Sequence, residues 1–276
     1  MRKFKITNAD GLVLDLMDKT SFLSSPDGLG FDLNCDFNEV GDSYLPLKSR
    51  SAQKEIGGTL IIKGYSKYQQ VSALLVKNPV TLHYCPIGTL WYTLPCLVRS
   101  LSKTELDNGY LRCDIRFSAL SKWTRNTENR RTSPTIDNPK QYGYRYPYIY
   151  MDNVSGSINL MNQGYEDSPL IITVFGAVEN PRWDLIVNGN VIATGELQGV
   201  TIQKGNKLVV NSEDGNLEIA EYTLNNEYVR NLYEYSNFET ERFIKVPPGR
   251  SAIRIYGTTS GEIVAYVEVL EQYETV

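Results

Sequence analysis

Two side chains in the first half of the chain have the types and spacing that nucleophilic catalysis requires. His83 is the only histidine, and Cys85 follows it by two positions in an apolar run. Alternate side chains of a strand point to one face, so the imidazole and the thiol could form a Cys-His pair. No G-x-S-x-G elbow accompanies them. A lone histidine beside a cysteine in an apolar strand is more typical of a packed, hydrogen-bonded side chain, and the sequence favours that interpretation.

Paired carboxylates are the second candidate for chemistry, because two acids across a cleft can hydrolyse a glycosidic bond. The second half of the sequence offers acidic residues for such a pair, namely Asp184, Glu196, Glu213, Asp214, Glu218 and Glu221. Exposed acids on a solvated sheet face are the commoner arrangement. Residues 211–216 lack the ligand pattern of a calcium loop and are predicted to form a hairpin turn. We expect no catalytic residue.

The sequence has none of the other motifs of cofactor or metal chemistry that we sought. It contains no phosphate-binding loop, no dinucleotide-binding glycine pattern before a helix and no H-E-x-x-H motif. Its cysteines have no C-x-x-C pair and no zinc-module spacing, so free buried thiols are expected. These cysteines are Cys35, Cys85, Cys96 and Cys113. We therefore expect no cofactor, no metal and no enzymatic activity.

A row of five tyrosines occupies every second position from Tyr142 to Tyr150. In a strand all of these rings would line one face, and Pro147 would confine the strand to a sheet edge or a strand start. Rings that shield a domain junction, a sugar-stacking platform, and a subunit or partner contact all fit this pattern. The candidates for a sugar platform are Tyr144, Tyr146 and Trp183.

The charge is divided unevenly between the two halves of the chain. The net charge is −4, with +4 over residues 1–138 and −8 over residues 139–276. This split favours two bodies with different surfaces, and the lack of a basic stripe argues against nucleic-acid binding. No apolar run is long enough to span a membrane, and the N-terminus has no apolar signal segment. We expect synthesis in a cytoplasm, with no membrane association and no export.

Short apolar runs between Gly, Pro and Asn turns predict a mainly β chain with one helix. Ser66 and Gln69 have the spacing of a capping box at the start of that helix, and Asn78 before Pro79 ends it. Its predicted apolar face comprises Tyr68, Val71, Leu74 and Leu75. The turn 107–109, with its Asn-Gly pair, predicts a hairpin between two long strands.

The polar stretch 124–140 has no periodicity, and we place a domain boundary within it. The predicted domains are residues 1–138 and 139–276. Closely spaced strand signals in the second domain predict a β-sandwich or jelly roll. Three segments have other predictions: 37–53 as a polar loop whose apolar anchors could wrap a neighbouring molecule, 180–183 as a turn, and 225–239 as a short helix or loop.

Several segments carry a family resemblance through their order and spacing. In the first half they are Phe4 to Gly11 and Ser25 to Gly30. In the second half they are Asn162-Gln163-Gly164 before Pro169, Ile172 to Gly176, Asn180-Pro181 and Pro247 to Ser251. Together they resemble phage distal tail proteins of the siphophage tail-component family, over nearly the whole chain.

The resemblance implies a structural hub of a phage or prophage tail tip or baseplate. The first domain would be a β-barrel- or sandwich-like ring domain with one helix, and the second a galectin-like β-sandwich (jelly roll). A homo-hexameric ring would join the tail tube protein to the tail-tip (tail-associated) protein, and the second domain would carry receptor-binding or other baseplate proteins. The chain would be a virion structural protein of the phage tail, synthesised in the bacterial host cytoplasm.

Two other functions remain open at this point. A carbohydrate-binding module that contributes to host cell-wall adhesion is the main alternative, because a sandwich with aromatic rows can stack on sugars. A cell-wall hydrolase is disfavoured by the single histidine. The resemblance assigns no binding residue to this chain, since the interfaces of the family have no short sequence signature.

Overall fold

The structure is a computed structural model that describes residues 2–132, 156–259 and 263–276. The chain divides into two compact units, of which the first is Met1–Arg125 with Tyr273–Val276 and the second is Asn126–Gln272. The predicted boundary between residues 138 and 139 and the tyrosine row 142–150 lie outside the described residues. The expected fold class, mainly β with one helix, is confirmed.

The first half of the chain consists of eleven strands and one helix, and the last of these strands, β11, continues past Arg125. In chain order they are β1 (Lys3–Thr7), β2 (Val13–Asp15), β3 (Met17–Asp18), β4 (Ser21–Asp27), β5 (Leu33–Val40), β6 (Ser43–Ser51), β7 (Glu55–Lys63), α1 (Gly64–Leu75), β8 (Val80–Cys85), β9 (Tyr92–Leu101), β10 (Tyr110–Ala119) and β11 (Trp123–Thr132). An antiparallel path β2-β1-β8-β9-β10-β7-β4-β3 runs through this unit.

Strand β10 shows how alternation builds the first core. Leu111, Cys113, Ile115 and Phe117 are buried, whereas the residues between them are exposed. The neighbouring strand β7 brings Ile62 opposite Leu111 and Leu60 opposite Cys113, so that one face of both strands is apolar. Alternate side chains of a strand point to opposite faces, and this register therefore sends a continuous apolar surface into the core. The predicted hairpin between β9 and β10 is confirmed.

Helix α1 covers part of this core with the face that the sequence predicts. Val71 and Leu75 are buried, and Tyr68 and Leu74 pack against the same cluster. The predicted capping box is wrong, because the helix begins two residues before Ser66 and has no side-chain cap. Strand β7 runs directly into the helix, and the N–H of Gly64 donates instead to the carbonyl of Gly109, at 3.1 Å.

The second unit is built from two sheets. Its elements are β12 (Gly156–Asn162), β13 (Ser168–Phe175), β14 (Val178–Val187), β15 (Asn190–Glu196), β16 (Thr201–Ile202), β17 (Asn206–Asn211), β18 (Glu218–Thr223), β19 (Tyr228–Asn231), a 3₁₀ turn (Tyr233–Tyr235), β20 (Lys245–Val246), β21 (Gly249–Thr258) and β22 (Ala265–Tyr273). One sheet has the order β19-β18-β17-β13-β22, and the other β12-β21-β14-β15.

A single apolar cluster fills the space between these two sheets. Ile172 of β13 and Val267 of β22 belong to one sheet, while Trp183 of β14 and Ile253 of β21 belong to the other, and all four are buried in the same cluster. Two sheets that share one core in this way form the β-sandwich predicted for the second half.

One sequence prediction in the second unit is wrong, and another is wrong in part. Residues 180–183 form part of β14 rather than a turn, since Pro181 and the positive φ of Asn180, 48°, are accommodated at an irregularity in the register. Residues 225–239, predicted as a short helix or loop, contain the 3₁₀ turn and, against the prediction, the strand β19. β19 pairs with the strand before it, β18, where Tyr228 lies opposite Tyr222.

Candidate subunit interface

One hairpin of the first unit, formed by β5 and β6, is exposed along its whole length. We call this hairpin, residues 33–51, the arm. Its two strands pair only with each other among the described residues, and every residue from Gly30 to Ser51 is exposed. Its turn is Gly41-Asp42, where Gly41 has a φ of 63° that side chains rarely adopt. The expectation of a loop at 37–53 is therefore wrong, because residues 33–40 and 43–51 are paired strands, whose two faces both meet water.

The two faces of the arm differ in polarity. On one face the register places Phe37 opposite Pro46 and Tyr44 opposite Glu39. The Phe37 and Tyr44 side chains are 57% and 67% exposed, although burying such aromatic rings releases a large amount of apolar surface from water. We call this surface the apolar face. Its apolar members are Leu33, Cys35, Phe37, Tyr44 and Pro46, and the polar residues Glu39, Ser49 and Ser51 share it.

The opposite face of the arm is mostly polar. There Asp36 lies opposite Lys48 and Asn34 lies opposite Arg50, with Leu45 nearer the turn. Burying charged groups is costly, whereas burying apolar groups is favourable, so a partner would cover the apolar face and leave the charged one in water. An exposed apolar patch with a polar rim is typical of a protein–protein contact site.

Hydrogen bonds fasten the base of the arm to the first unit. The N–H of Ala52 donates to the carbonyl of Asp32 at 2.9 Å, which closes the hairpin. The Ser51 hydroxyl donates to Oε1 of Glu274 at 2.8 Å. The Lys54 ammonium donates to the backbone carbonyl of Glu274. These bonds fix the place where the arm leaves the body, so the exposed strands have a defined root.

The carboxylate of Glu274 accepts hydrogen bonds at this root from a hydroxyl and from an ammonium group. Lys122 Nζ lies 2.7 Å from its Oε1, and the Glu274 side chain is mostly covered. Burial alone would raise the pKa of Glu274, but the hydrogen bonds from Lys122 and Ser51 outweigh it and lower that pKa below its ordinary value. Burial also lowers the pKa of the Lys54 ammonium, against the attraction of Glu274.

The two candidate catalytic residues of the first half have different hydrogen-bond partners. His83 Nε2 lies 2.8 Å from the Thr7 hydroxyl, and burial together with the charge of Lys5 lowers the histidine pKa. The Cys85 thiol is buried and lies 3.5 Å from the carbonyl oxygen of Gly88, to which it can donate. These contacts match the packed, hydrogen-bonded histidine that the sequence favours.

The six candidate carboxylates are divided between the two sheets of the second unit. Asp184 and Glu196 belong to β14 and β15, whereas Glu213, Asp214, Glu218 and Glu221 belong to β17–β18 and the turn between them. Two of the six are buried in ion pairs: Asp184 accepts from Arg182 Nε at 3.0 Å, and Glu221 accepts from Arg230 Nε at 2.7 Å. These pairs account for the two carboxylates as parts of the folded sheets.

The proposed sugar-stacking role of Trp183 is wrong, because its side chain is fully buried in the sandwich core. Tyr144 and Tyr146 lie outside the described residues. Three of the cysteines are buried as expected, but Cys35 is exposed because it lies on the arm. Within the described residues, no three His, Cys, Asp or Glu side chains are grouped as a metal site, and no helix has the length and apolarity to cross a membrane.

Sequence reasoning located part of the arm but not its structure. It identified 37–53 as a segment that could wrap a neighbour, and it missed β5 up to Asp36, which supplies Leu33 and Cys35 of the apolar face. The signal that would have found the hairpin is Gly41-Asp42, a two-residue turn pair between Val40 and Ser43.

Known proteins resemble this chain in sequence and in fold. Residues 3–120 match the family model described as distal tail protein, N-terminal domain. A comparison with curated protein sequences finds no match. The resemblance of the sequence to phage distal tail proteins is thereby confirmed.

Several solved structures share the fold of the whole chain. A chain of the phage P2 baseplate in its activated conformation with calcium is 16% identical, with a TM-score of 0.68 and 100% of both chains covered. The same baseplate with strontium gives a TM-score of 0.67 at 16% identity, again over 100% of both chains. The Dit protein of phage SPP1, described as a paradigm of the hub adsorption apparatus in phages that infect Gram-positive bacteria, is 12% identical, with a TM-score of 0.61 over 97% of this chain and 98% of that one. At such identities the likeness establishes the fold.

Proposed function

Because residues 3–120 match the family model of the distal tail protein N-terminal domain, we propose that this chain is a structural hub of a phage tail tip or baseplate. In this role it is not an enzyme. Six copies form a ring that joins the tail tube protein to the tail-tip protein, and the second unit carries receptor-binding or other baseplate proteins. The assembled protein is part of the virion, after synthesis in the host cytoplasm.

The observation that carries the ring proposal is the apolar face of the arm. An isolated two-stranded hairpin is at best marginally stable in water, and three or more strands or a packing surface are needed to hold it. The exposed rings of Phe37 and Tyr44 would gain stability if a neighbouring subunit covered them. A contact between the arm of one copy and a different surface on the next copy is heterologous. Such contacts close into a ring when the rotation between neighbouring copies permits it.

The hub would use its two units for different contacts. The first unit contains the arm. Residues 1–138 carry a net charge of +4, whereas residues 139–276 carry a net charge of −8. In the second unit β15 ends its sheet with Val191 and Ile192 exposed, which leaves a strand edge that a partner protein can pair with or cover. This edge is a suitable attachment point for another baseplate protein.

Removal of the whole arm tests the ring. The Ala52 N–H and the Asp32 carbonyl are 2.9 Å apart, so residues 33–51 can be replaced by two glycines without stretching the root. This deletion is cleaner than removal of 41–51 alone, which would leave β5 without a partner. We expect the wild-type chain to form six-membered rings in native mass spectrometry and negative-stain images, alone or with its tail tube protein, and the deletion variant to remain monomeric.

A pair of point variants separates the contact from the fold. Phe37→Ser with Tyr44→Ser removes both rings of the apolar face, while Asn38→Ser on the opposite face serves as the matched control. We expect only the double variant to lose the ring, with both proteins melting at the same temperature as the wild type. Rings of unchanged mass in the double variant, or a wild-type chain that forms no ring even with its tail tube protein, would contradict the proposal.

A further inference from the structure

The second unit contains an open groove of about 710 Å³ at one end of β17, β18 and β19. The register places Asn211 opposite Glu218 and Asn231 opposite Ala220, so these side chains share one face of the sheet. Ile219 also lines the groove, although its side chain is buried in the core. The volume of the groove is in the range of small-ligand sites, about 300–1,000 Å³.

Backbone hydrogen bonds hold two of the amides in the groove with a donor turned outward. Oδ1 of Asn211 accepts from the N–H of Glu213 at 2.9 Å, and Oδ1 of Asn231 accepts from the N–H of Tyr233 at 2.7 Å. A backbone N–H can only donate, so each amide oxygen is fixed and each Nδ2 remains available to donate to a ligand. The groove thus has two oriented donors before any ligand binds.

Two other side chains supply acceptors. Nδ2 of Asn216 donates to Oε2 of Glu213 at 2.8 Å, so the Asn216 oxygen is left to accept. Glu218 Oε1 accepts from the Tyr222 hydroxyl at 2.6 Å, and its second oxygen can accept from a ligand. Glu218 raises the pKa of that tyrosine to about 12, so Tyr222 remains a donor and keeps the carboxylate in place.

An aromatic pair completes the lining of the groove. The rings of Tyr233 and Phe243 are stacked at 6.2 Å between centroids, with 16° between their planes. Among its described residues the lining includes a single carboxylate, Glu218, and the Arg242 guanidinium lies over the Tyr233 ring at 5.3 Å from its centroid, so the two opposite charges favour a neutral ligand over an anion or a cation. Vicinal hydroxyl groups accept from amide N–H groups and donate to carboxylate and amide oxygens, while the C–H faces of a sugar pack on aromatic rings.

We propose that this groove binds a neutral saccharide through Asn211, Asn216, Glu218, Asn231 and the Tyr233–Phe243 pair. The groove lies within the second unit, and Trp183, a sugar candidate of the sequence, does not line it. The proposal does not depend on the ring, because a groove within one unit needs no second copy. A hub with such a site would contact host or virion glycans directly.

The test is a titration of the full-length ¹⁵N-labelled chain with lactose, N,N′-diacetylchitobiose and glycerol 3-phosphate. We expect at least one neutral disaccharide to shift the side-chain amide signals of Asn211 and Asn231 saturably, with glycerol 3-phosphate weaker. Asn231→Asp keeps the acceptor for the Tyr233 N–H but removes the outward donor, so it should weaken binding by roughly tenfold or more without changing the melting temperature. The matched control, Asn159→Asp on the exposed face of β12, should bind as the wild type does.

Three results would overturn the proposal. The first is that neither disaccharide produces a saturable shift at these amides. The second is that a folded Asn231→Asp variant binds the disaccharide as tightly as the wild type. The third is that glycerol 3-phosphate binds more tightly than both sugars, since the groove would then select anions. None of these results depends on whether the chain forms a ring.

Discussion

Glu274 shows how much one residue can organise when several donors meet on it. Ser51, Lys54 and Lys122 all contact it, and two of these residues lie at or next to the root of the arm. A carboxylate that accepts charge-assisted bonds is held in its ionised form. Glu274 therefore joins the root of the arm to Lys122 in one hydrogen-bonded group.

The pH dependence of that residue follows from the sign of its pKa shift. The pKa of Glu274 is lower in the folded chain than its ordinary value of 4.5, so its contribution to stability is present above that value and is lost as the pH falls through the folded value. We expect Glu274→Gln to lower the free energy of unfolding by about 1 kcal/mol at neutral pH and by much less near pH 3. Urea unfolding of both proteins at the two pH values measures this difference, and an equal loss at both would show that the charge is irrelevant.

A second residue-scale prediction concerns Gly195, which lies on β15 against the indole of Trp183. A Cβ at this position would stand 2.4 Å from Trp183 Nε1, closer than real contacts allow. Gly195→Ala should destabilise the second unit by about 1–3 kcal/mol, because the buried ring has to move within a packed core. Val191→Ala, on the exposed part of the same strand, should change stability little. Thermal unfolding followed by tryptophan fluorescence compares the two, and a neutral Gly195→Ala would mean that the ring is loosely packed.

At the scale of elements, alternation decided what the sequence could reveal. Strand β10 alternates buried and exposed residues, and it is one of the two long strands that the Asn-Gly turn at 107–109 predicts. The arm strands are exposed on both faces, so the same signal is weak and the segment resembles a loop. The opposite error occurs at 180–183. There Asn and Pro predict a turn, but these residues form part of strand β14. Pairing with the distant strand β21 decides the second case and leaves no local signature, whereas the arm does have one in its turn, Gly41-Asp42.

The start of helix α1 offers a direct test at this scale. The capping-box interpretation gives the Ser66 hydroxyl a bond whose loss would cost about 1 kcal/mol, whereas the structure has the helix begin at Gly64 without a side-chain cap. We expect Ser66→Ala to leave the free energy of unfolding unchanged within about 0.5 kcal/mol. Val71→Ala, on the buried face of the same helix, should cost about 1–3 kcal/mol and shows that the assay detects the helix. Equal losses of unfolding free energy in both variants would show that the Ser66 hydroxyl does cap the helix.

At the scale of the whole molecule, the sequence predicted the fold class and the resemblance to distal tail proteins but not the site. Fold class follows from the many short strands, and the resemblance from the order of segments such as 162–164. Asn162 of that segment is a fully bonded buried side chain: its Nδ2 donates to the carbonyls of Glu166 and Val246, and its Oδ1 accepts from Gly164 and Ser168. The groove residues, by contrast, come together only because neighbouring strands pair in a particular register. No local sequence pattern predicts that register.

The first unit also depends on the last residues of the chain. Tyr273 is 7% exposed and packs edge-on against Tyr92 at 5.2 Å between centroids. Tyr273→Ala should destabilise the first unit by about 2–4 kcal/mol, as expected for the loss of a large buried ring. Hydrogen exchange at the amides of β8 and β9 would report it, with Tyr228→Ala, at an exposed ring, as the control. Unchanged protection of β8 and β9 would show that the first unit folds without this side chain.

The return of residues 273–276 to the first unit has a consequence for the time at which the protein becomes functional. A ribosome releases the first 125 residues long before Tyr273 is made, so the nascent first unit waits for this buried side chain until Tyr273 has been added. During that interval its core is incomplete and the root of the arm has no Glu274. Full assembly competence therefore follows the synthesis of Tyr273 and Glu274, which delays association between unfinished chains on one messenger RNA.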